Sequence, residues 1–76
     1  MKIIRSKDTH YGTVVLYQDD EDTSKYYVKS GNSWVVPVFS TVGYSEDKSA
    51  LTYDMGMDVF DKAVQDSEVV YKALHK

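Results

Sequence analysis

The sequence predicts an α+β fold: an antiparallel β-meander of four or five strands, with one C-terminal amphipathic helix packed on one sheet face. Strand-forming residues are common, with 11 Val, 2 Ile and 7 Tyr against 3 Leu and 3 Ala, which favours a sheet over a helical bundle. The clearest helical periodicity comes at the end of the chain. With 76 residues and no internal repeat or linker, residues 1–76 are expected to form a single small domain.

The first two predicted strands are joined by a polar break. Residues 2–6 form a short strand, residues 7–10 the break, and residues 11–18 a second strand rich in β-branched and aromatic side chains. Residues 19–24 contain no apolar side chain and four adjacent carboxylates. Because these charges repel one another, the segment is expected to be a solvated loop or hairpin tip.

A third and a fourth strand follow as a hairpin. Residues 25–30 alternate, with Tyr26 and Val28 on one face and Lys25, Tyr27 and Lys29 on the other, as is typical of a half-buried antiparallel strand. The Gly-Asn pair at 31–32 predicts a tight turn with positive φ. Residues 33–39 form the next strand, and Pro37 places that strand at a sheet edge or at a bulge because proline cannot donate to a ladder.

The segment before the helix is harder to assign. Residues 41–49 contain Gly43 and a charged triplet, so a loop is expected there. Residues 50–55 alternate as in a strand, but a short helix is also compatible with them.

From Asp58 to the C-terminus the apolar residues recur with helical spacing. One arc is expected to face the sheet; it contains Val59, Phe60, Ala63, Val64, Ser67, Val70, Tyr71 and Leu74. The opposite arc is polar, with Val69 its one apolar exception. Gly56 is expected to end the preceding element, and Asp58 to cap the helix with Asp61 completing a capping box.

Catalytic and cofactor chemistry is not expected. The chain has no cysteine and two histidines, His10 and His75, so neither a thiolate metal site nor a redox centre is predicted. There is no G-x-S-x-G elbow and no phosphate-binding glycine motif, and 76 residues leave little room for both a core and an enclosed pocket. The sequence therefore predicts a protein that is not an enzyme and uses no cofactor or metal.

Charge and tyrosine content point to an interaction surface, although a charged surface that only keeps the protein soluble is the simpler explanation of the acidic residues. On the binding interpretation, ordered carboxylates present a negative strip to a basic partner, including an enzyme that itself binds nucleic acid. Tyrosine suits interfaces, since it combines apolar area with a polar tip. The candidate partner-binding residues are Asp19, Asp20, Glu21, Asp22, Tyr27, Trp34, Asp58, Asp61, Asp66 and Glu68.

Two alternatives stay open. Tyr27 and Trp34, flanked by Lys25 and Lys29, could form a small platform for single-stranded nucleic acid, although a pI near 5.1 and the lack of a dense basic patch make direct nucleic-acid binding the less favoured alternative. The other alternative is that the protein is a structural or assembly subunit, which includes a homodimer.

No family motif is present. In general type, being small, acidic, cysteine-free and tyrosine-rich, the chain is similar to accessory proteins with which bacteriophages and mobile elements bind and disable host enzymes. That similarity implies an inhibitor or modulator of a larger protein, for example a nucleic-acid-processing or defence enzyme. With no apolar stretch long enough for a secretory signal or a membrane span, a cytoplasmic location is expected, which is the host cytoplasm for a phage-encoded protein.

Overall fold

A computed structural model describes residues 1–10, 12–38 and 41–74. Five strands form a single sheet in the order β1-β2-β3-β4-β5, each antiparallel to the next, and one helix packs on it. The predicted α+β meander is therefore confirmed. The elements are β1 Lys2–Thr9, β2 Gly12–Gln18, β3 Tyr26–Ser30, β4 Ser33–Val38, β5 Thr41–Ser45 and α1 Tyr53–Leu74.

The core lies between the sheet and α1. Strand alternation turns Val14 and Leu16 of β2, Val28 of β3 and Val35 of β4 to the same side, and each is at most 1% exposed. The helix covers them with Val59, Phe60 and Ala63, which are also buried. Full burial of one such side chain contributes about 1.5–3 kcal/mol, so this single layer accounts for most of the apolar stabilisation.

The periodicity of the helix predicted its faces correctly. Of the arc expected to face the sheet, Val59, Phe60, Ala63 and Ser67 are buried and Val64 packs against the core. The structure does not describe the side chains of Val70, Tyr71 and Leu74. It does not describe any part of Tyr11, Phe39 and His75. The apolar exception on the opposite arc, Val69, is 65% exposed.

The prediction of a loop over residues 41–49 is wrong at its start. Thr41–Ser45 forms β5, which pairs with β4 through Val35 opposite Tyr44 and Pro37 opposite Val42. Gly43 weakens the local strand signal, but the ladder with β4 and the packing of Val42 against the core override it. The polar break predicted at residues 7–10 is also shorter than expected, because β1 continues to Thr9.

Pro37 lies in a strand that is not at the sheet edge, which corrects the prediction for β4. Pairing of β4 with β3 extends from Ser33 to Val35 only. The register would next bring Pro37 opposite Tyr26, but the backbone of Tyr26 instead exchanges two hydrogen bonds with Leu51. Pro37 thus pairs with β5 alone, and its missing N–H costs no bond to β3.

The helix begins five residues earlier than the sequence indicated. α1 starts at Tyr53, after the isolated bridge residue Leu51, and Gly56 lies inside it rather than before it. The capping oxygen belongs to Thr52, whose Oγ1 accepts a hydrogen bond from the Met55 N–H at 3.3 Å. Asp58 is therefore not the cap, and the proposed capping box with Asp61 does not form, because both residues lie within the helix.

Candidate binding surfaces

The first candidate surface is the acidic loop, residues 19–22, which joins β2 to β3. Its carboxylates organise the loop itself. Asp19 Oδ1 accepts hydrogen bonds from the N–H groups of Glu21, at 2.8 Å, and Asp22, at 3.1 Å. Asp22 Oδ1 accepts two more from Ser24, from the N–H at 3.0 Å and from the hydroxyl at 2.6 Å. Such bonds satisfy backbone donors that a turn would otherwise leave to water.

These bonds change the acidity of two loop carboxyls. The N–H groups of Glu21 and Asp22 hold the pKa of Asp19 below its ordinary value of 3.8, and the Ser24 hydroxyl and N–H do the same for the pKa of Asp22. The third aspartate, Asp20, pairs with the terminal amino group at 2.7 Å. Most of the loop's charge is thus engaged within the molecule, and the Glu21 side chain is its outward member in the described part of the chain.

The second candidate surface is the exposed side of the helix. We call it the acidic helix side; it consists of Asp54, Asp58, Asp61, Asp66 and Glu68. All five lie on α1 because the helical repeat that buries the core arc turns the polar positions to solvent. The last four were predicted from the sequence, whereas Asp54 was missed because the helix was expected to start after it.

Three members of the acidic helix side have basic neighbours. Asp58 pairs with Lys62 at 3.0 Å, Asp61 with Arg5 at 4.0 Å and Glu68 with His10 at 3.3 Å. Exposed pairs of this kind contribute about 0–1 kcal/mol. Their basic partners can therefore be exchanged at little cost.

The other two members, Asp54 and Asp66, form no ion pair within residues 1–10, 12–38 and 41–74. Partial burial raises the pKa of the Tyr44 phenol, and the nearby charge of Asp66 raises it further. Asp66 is therefore on the β5 side of the helix, whereas Asp61 and Glu68 pair with Arg5 of β1 and with His10 just after it.

Arg5 joins the helix to the edge strand β1. Its guanidinium lies 5.1 Å from the centre of the Phe60 ring and 3.8 Å from the Met57 sulfur, next to Asp61. A cleft of about 410 Å³ opens here between β1 and α1, with Lys7 on its rim. Because Arg5 already bonds across the cleft, we assign its contacts to holding β1 against the helix.

The third candidate surface lies on the other face of the sheet. We call it the aromatic face; it consists of Tyr17, Tyr27, Lys29, Trp34 and Lys48. Register and alternation bring its strand members together, since Tyr17 is opposite Tyr27 and Lys29 is opposite Trp34. The Trp34 ring makes edge-on contacts with Tyr17, at 6.1 Å, and with Tyr27, at 6.3 Å.

Two ammonium groups cover these rings. Lys29 Nζ lies 5.3 Å from the centre of the Trp34 ring, and Lys48 Nζ lies 5.0 Å from Tyr27 and 5.7 Å from Trp34. Each distance is within the range of a cation–π interaction. Tyr27 is 8% exposed, whereas Tyr17 and Trp34 are half-buried.

The structure does not combine the predicted partner-binding residues into one surface. Tyr27 and Trp34 lie on the aromatic face, and the helix carboxylates lie beyond the opposite face of the sheet. Lys25, expected beside Tyr27, is instead in the β2–β3 connection, with its Nζ 3.9 Å from Asp22. Neither Tyr17 nor Lys48 was assigned to this surface from the sequence, because nothing in residues 12–18 or 46–49 indicates that they lie near Trp34.

Within residues 1–10, 12–38 and 41–74, no group of three or more His, Asp or Glu side chains is arranged to hold a metal ion. In the same residues, no helix has the length and apolar character needed to cross a bilayer. An unpaired buried polar atom often marks a buried ligand site. In the described part of the chain, no buried polar side-chain atom lacks a hydrogen bond.

Comparison with known proteins identifies no relative: no family model, no curated protein and no solved structure matches the chain.

Proposed function

We propose that this protein is a non-catalytic interaction module that inhibits or modulates a larger protein, and that it binds a basic surface of that protein through the acidic helix side. One observation carries the proposal. The helix has five carboxylates and two lysines, Lys62 and Lys72, so its formal charge of −3 equals the net charge of the whole chain. The rest of the molecule is neutral in sum, because its seven carboxylates, four of them in the acidic loop, are balanced by seven basic residues.

The spacing of these carboxylates suits a partner that binds nucleic acid. From Asp54 to Glu68 the helix rises about 21 Å, at about 1.5 Å per residue. Five carboxylates over that length are about 5 Å apart along the axis, compared with about 3.4 Å between phosphates along one DNA strand. Projected on the helix axis, these charges are somewhat sparser than the phosphates of one strand. They are spread around the exposed side of the helix, with Asp66 towards β5 and Asp61 and Glu68 towards β1. This extended negative surface supports an enzyme that binds nucleic acid as the target.

Apolar contacts are available between the charges. Tyr53, Met55 and Val69 are 51%, 44% and 65% exposed on the same helix. Charge alone mainly accelerates association and selects the partner, whereas a few buried anchor residues, among which tyrosine is common, supply most of the affinity at protein interfaces. A surface that offers both is suited to stable binding of a protein.

The proposal places the chain among small acidic proteins with which bacteriophages and mobile elements disable host enzymes, acting in the host cytoplasm. Affinity capture from a bacterial lysate tests it, with mass spectrometry of the bound material, with and without nuclease, and at low and high salt. We expect one nuclease-resistant protein partner that is lost at high salt, because exposed charges are screened there. The absence of any protein partner after nuclease treatment, or a stable homo-oligomer with no other partner, would contradict the proposal.

A further inference from the structure

The aromatic face is a second, independent feature of the molecule, separated from the acidic helix side by the sheet. It combines two chemistries in one place: exposed area of aromatic rings, and ammonium groups that can leave those rings. Tyr17 and Trp34 are half-buried members of this cluster, with Lys29 and Lys48 over it.

We propose that the aromatic face binds single-stranded nucleic acid, with bases stacking on Tyr17 and Trp34 and phosphates bound by Lys29 and Lys48. The strand ladder fixes the positions of both rings, so a base meets a surface that is already in place. Stacking on aromatic side chains tolerates every base because each has a π-face. The site therefore binds without strong sequence preference.

The side chains of Lys29 and Lys48 cover the aromatic rings, and a ligand can displace them. Without ligand, each ammonium group gains only a weak cation–π attraction to these rings. When a base occupies a ring face, the flexible side chains of Lys29 and Lys48 can turn to the neighbouring phosphates. A weak cation–π contact is thus replaced by stacking together with a charge-assisted bond.

Tyr27 has a supporting function in this site. At 8% exposed, it offers little ring surface to a base. It lies beneath Lys48 and contacts the edge of Trp34, so it positions both. The site differs in this respect from the one the sequence suggested, where Tyr27 and Lys25 were expected to meet the ligand.

The acidic character of the whole protein does not prevent binding here. The five carboxylates of the acidic helix side lie beyond the opposite face of the sheet from Lys29 and Lys48. The sheet and the buried core separate the two sets of charges, so the helix carboxylates do not border the aromatic face. Glu46 and Asp47 precede Lys48 and limit the affinity. Because these two carboxylates repel phosphates, the site is expected to bind nucleic acid weakly and through few phosphate contacts.

An acidic protein segment would use the lysines but not the ring faces, which is why a nucleic acid fits this surface better. The two ligands are distinguished by titrating the protein with short oligothymidylate and with polyglutamate while following the fluorescence of Trp34, the only tryptophan. Stacking on Trp34 predicts quenching by the oligonucleotide at low salt and its loss at high salt. No quenching at low salt, or equal quenching by polyglutamate, would overturn the proposal.

Variants assign the contacts. Lys29→Gln and Lys48→Gln should each weaken binding and reduce the slope of log affinity against log salt by about 0.7, the value for one phosphate contact on a single strand. Lys25→Gln is the matched control, because it removes the same charge from the β2–β3 connection. It should change the slope less than Lys29→Gln or Lys48→Gln does. Equal effects of all three substitutions would show that net charge alone matters and would contradict the site.

Tyr17→Leu tests stacking without removing the fluorescent reporter. It keeps an apolar side chain on the same strand face, and the loss of a stacked base should lower affinity about five- to a hundredfold. Circular dichroism of this variant checks that the fold is intact. An intact fold with unchanged affinity would exclude Tyr17 from the site.

Discussion

At the scale of single residues, Asp19 and Asp22 show how carboxylates can serve structure before any partner is considered. Each accepts two hydrogen bonds from the loop that contains it, and these bonds lower the pKa of both groups. A carboxyl whose pKa is lower in the folded protein stabilises the fold above its unfolded value of 3.8, and this contribution is lost as the pH falls through the folded pKa. Acid should therefore loosen the acidic loop.

The amide protons of the loop report this titration by NMR. We expect the Glu21 and Asp22 amides to shift with a midpoint below 3.8, and the Ser24 amide to follow Asp22 in the same direction. Asp19→Asn keeps a hydrogen-bond acceptor but does not titrate, so it should remove the part of the Glu21 and Asp22 amide response that follows Asp19 and leave the response of Ser24. Midpoints at or above 3.8 would show that the bonds to the carboxylates are absent.

Gly56 is required by the packing of α1 rather than by its own conformation. A Cβ atom there would lie 3.1 Å from Leu16 Cδ1 and 3.2 Å from Tyr26 Cβ, closer than ordinary van der Waals contact. Gly56→Ala gains about 0.5–1 kcal/mol of helix propensity, but overpacking a filled core costs about 1–3 kcal/mol. We expect a net loss of about 1 kcal/mol in urea denaturation, and a gain in stability would contradict the close approach.

At the scale of elements, the start of α1 depends on Thr52. Its hydroxyl caps the Met55 N–H and its carbonyl accepts the first helical hydrogen bond, from the Gly56 N–H at 2.8 Å. Thr52→Ala should lower the free energy of unfolding by about 1 kcal/mol, the usual cost of losing such a cap. Denaturant unfolding followed by circular dichroism measures it.

Asp58→Asn is the matched control for the cap. Asp58 is the residue that the sequence suggested as the cap, but in the structure it only pairs with Lys62 on the helix surface. Its neutralisation should cost a few tenths of a kcal/mol, about the value of one i,i+4 pair. A larger loss of unfolding free energy for Asp58→Asn than for Thr52→Ala would indicate that the helix begins at Asp58 instead.

Local patterns predicted the elements whose signal lies in their own residues. The alternation around Val28 and the helical repeat around Phe60 each predicted the buried face correctly, and the turn at residues 31–32 has Gly31 at a φ of +58°. β5 could not be predicted in this way, since its pairing with β4 is a contact between segments. The helix start was misplaced because glycine disfavours helices, and nothing local shows that Leu16 and Tyr26 leave no room for a side chain at 56.

At the scale of the whole molecule, the sheet separates two surfaces of different chemistry. The acidic helix side followed from helical spacing, so four of its five carboxylates were predicted from the sequence. The aromatic face followed only in part: Tyr27, Lys29 and Trp34 belong to the platform that the sequence suggested. Tyr17 and Lys48 come from other segments, which only strand register and the return after β5 bring to Trp34.

On the proposed function, the position of the helix carboxylates, rather than the net charge of the protein, determines binding of the partner. Two variants with the same net charge test it: Asp61→Asn with Glu68→Gln on the helix, and Glu46→Gln with Asp47→Asn in the segment after β5. Amides are preferable to lysines here, because Arg5 and His10 lie next to the helix pair and would be repelled by a new cation.

The measurement is the affinity of each variant for the protein partner recovered by capture, at one fixed salt concentration. We expect the helix variant to bind at least about tenfold more weakly than the unsubstituted protein, since two contacts to a basic surface at about 0.7 kcal/mol each amount to about one decade. The variant after β5 should bind nearly as well as the unsubstituted protein. Equal affinity of both variants, whether reduced or unchanged, would contradict the assignment of binding to the acidic helix side.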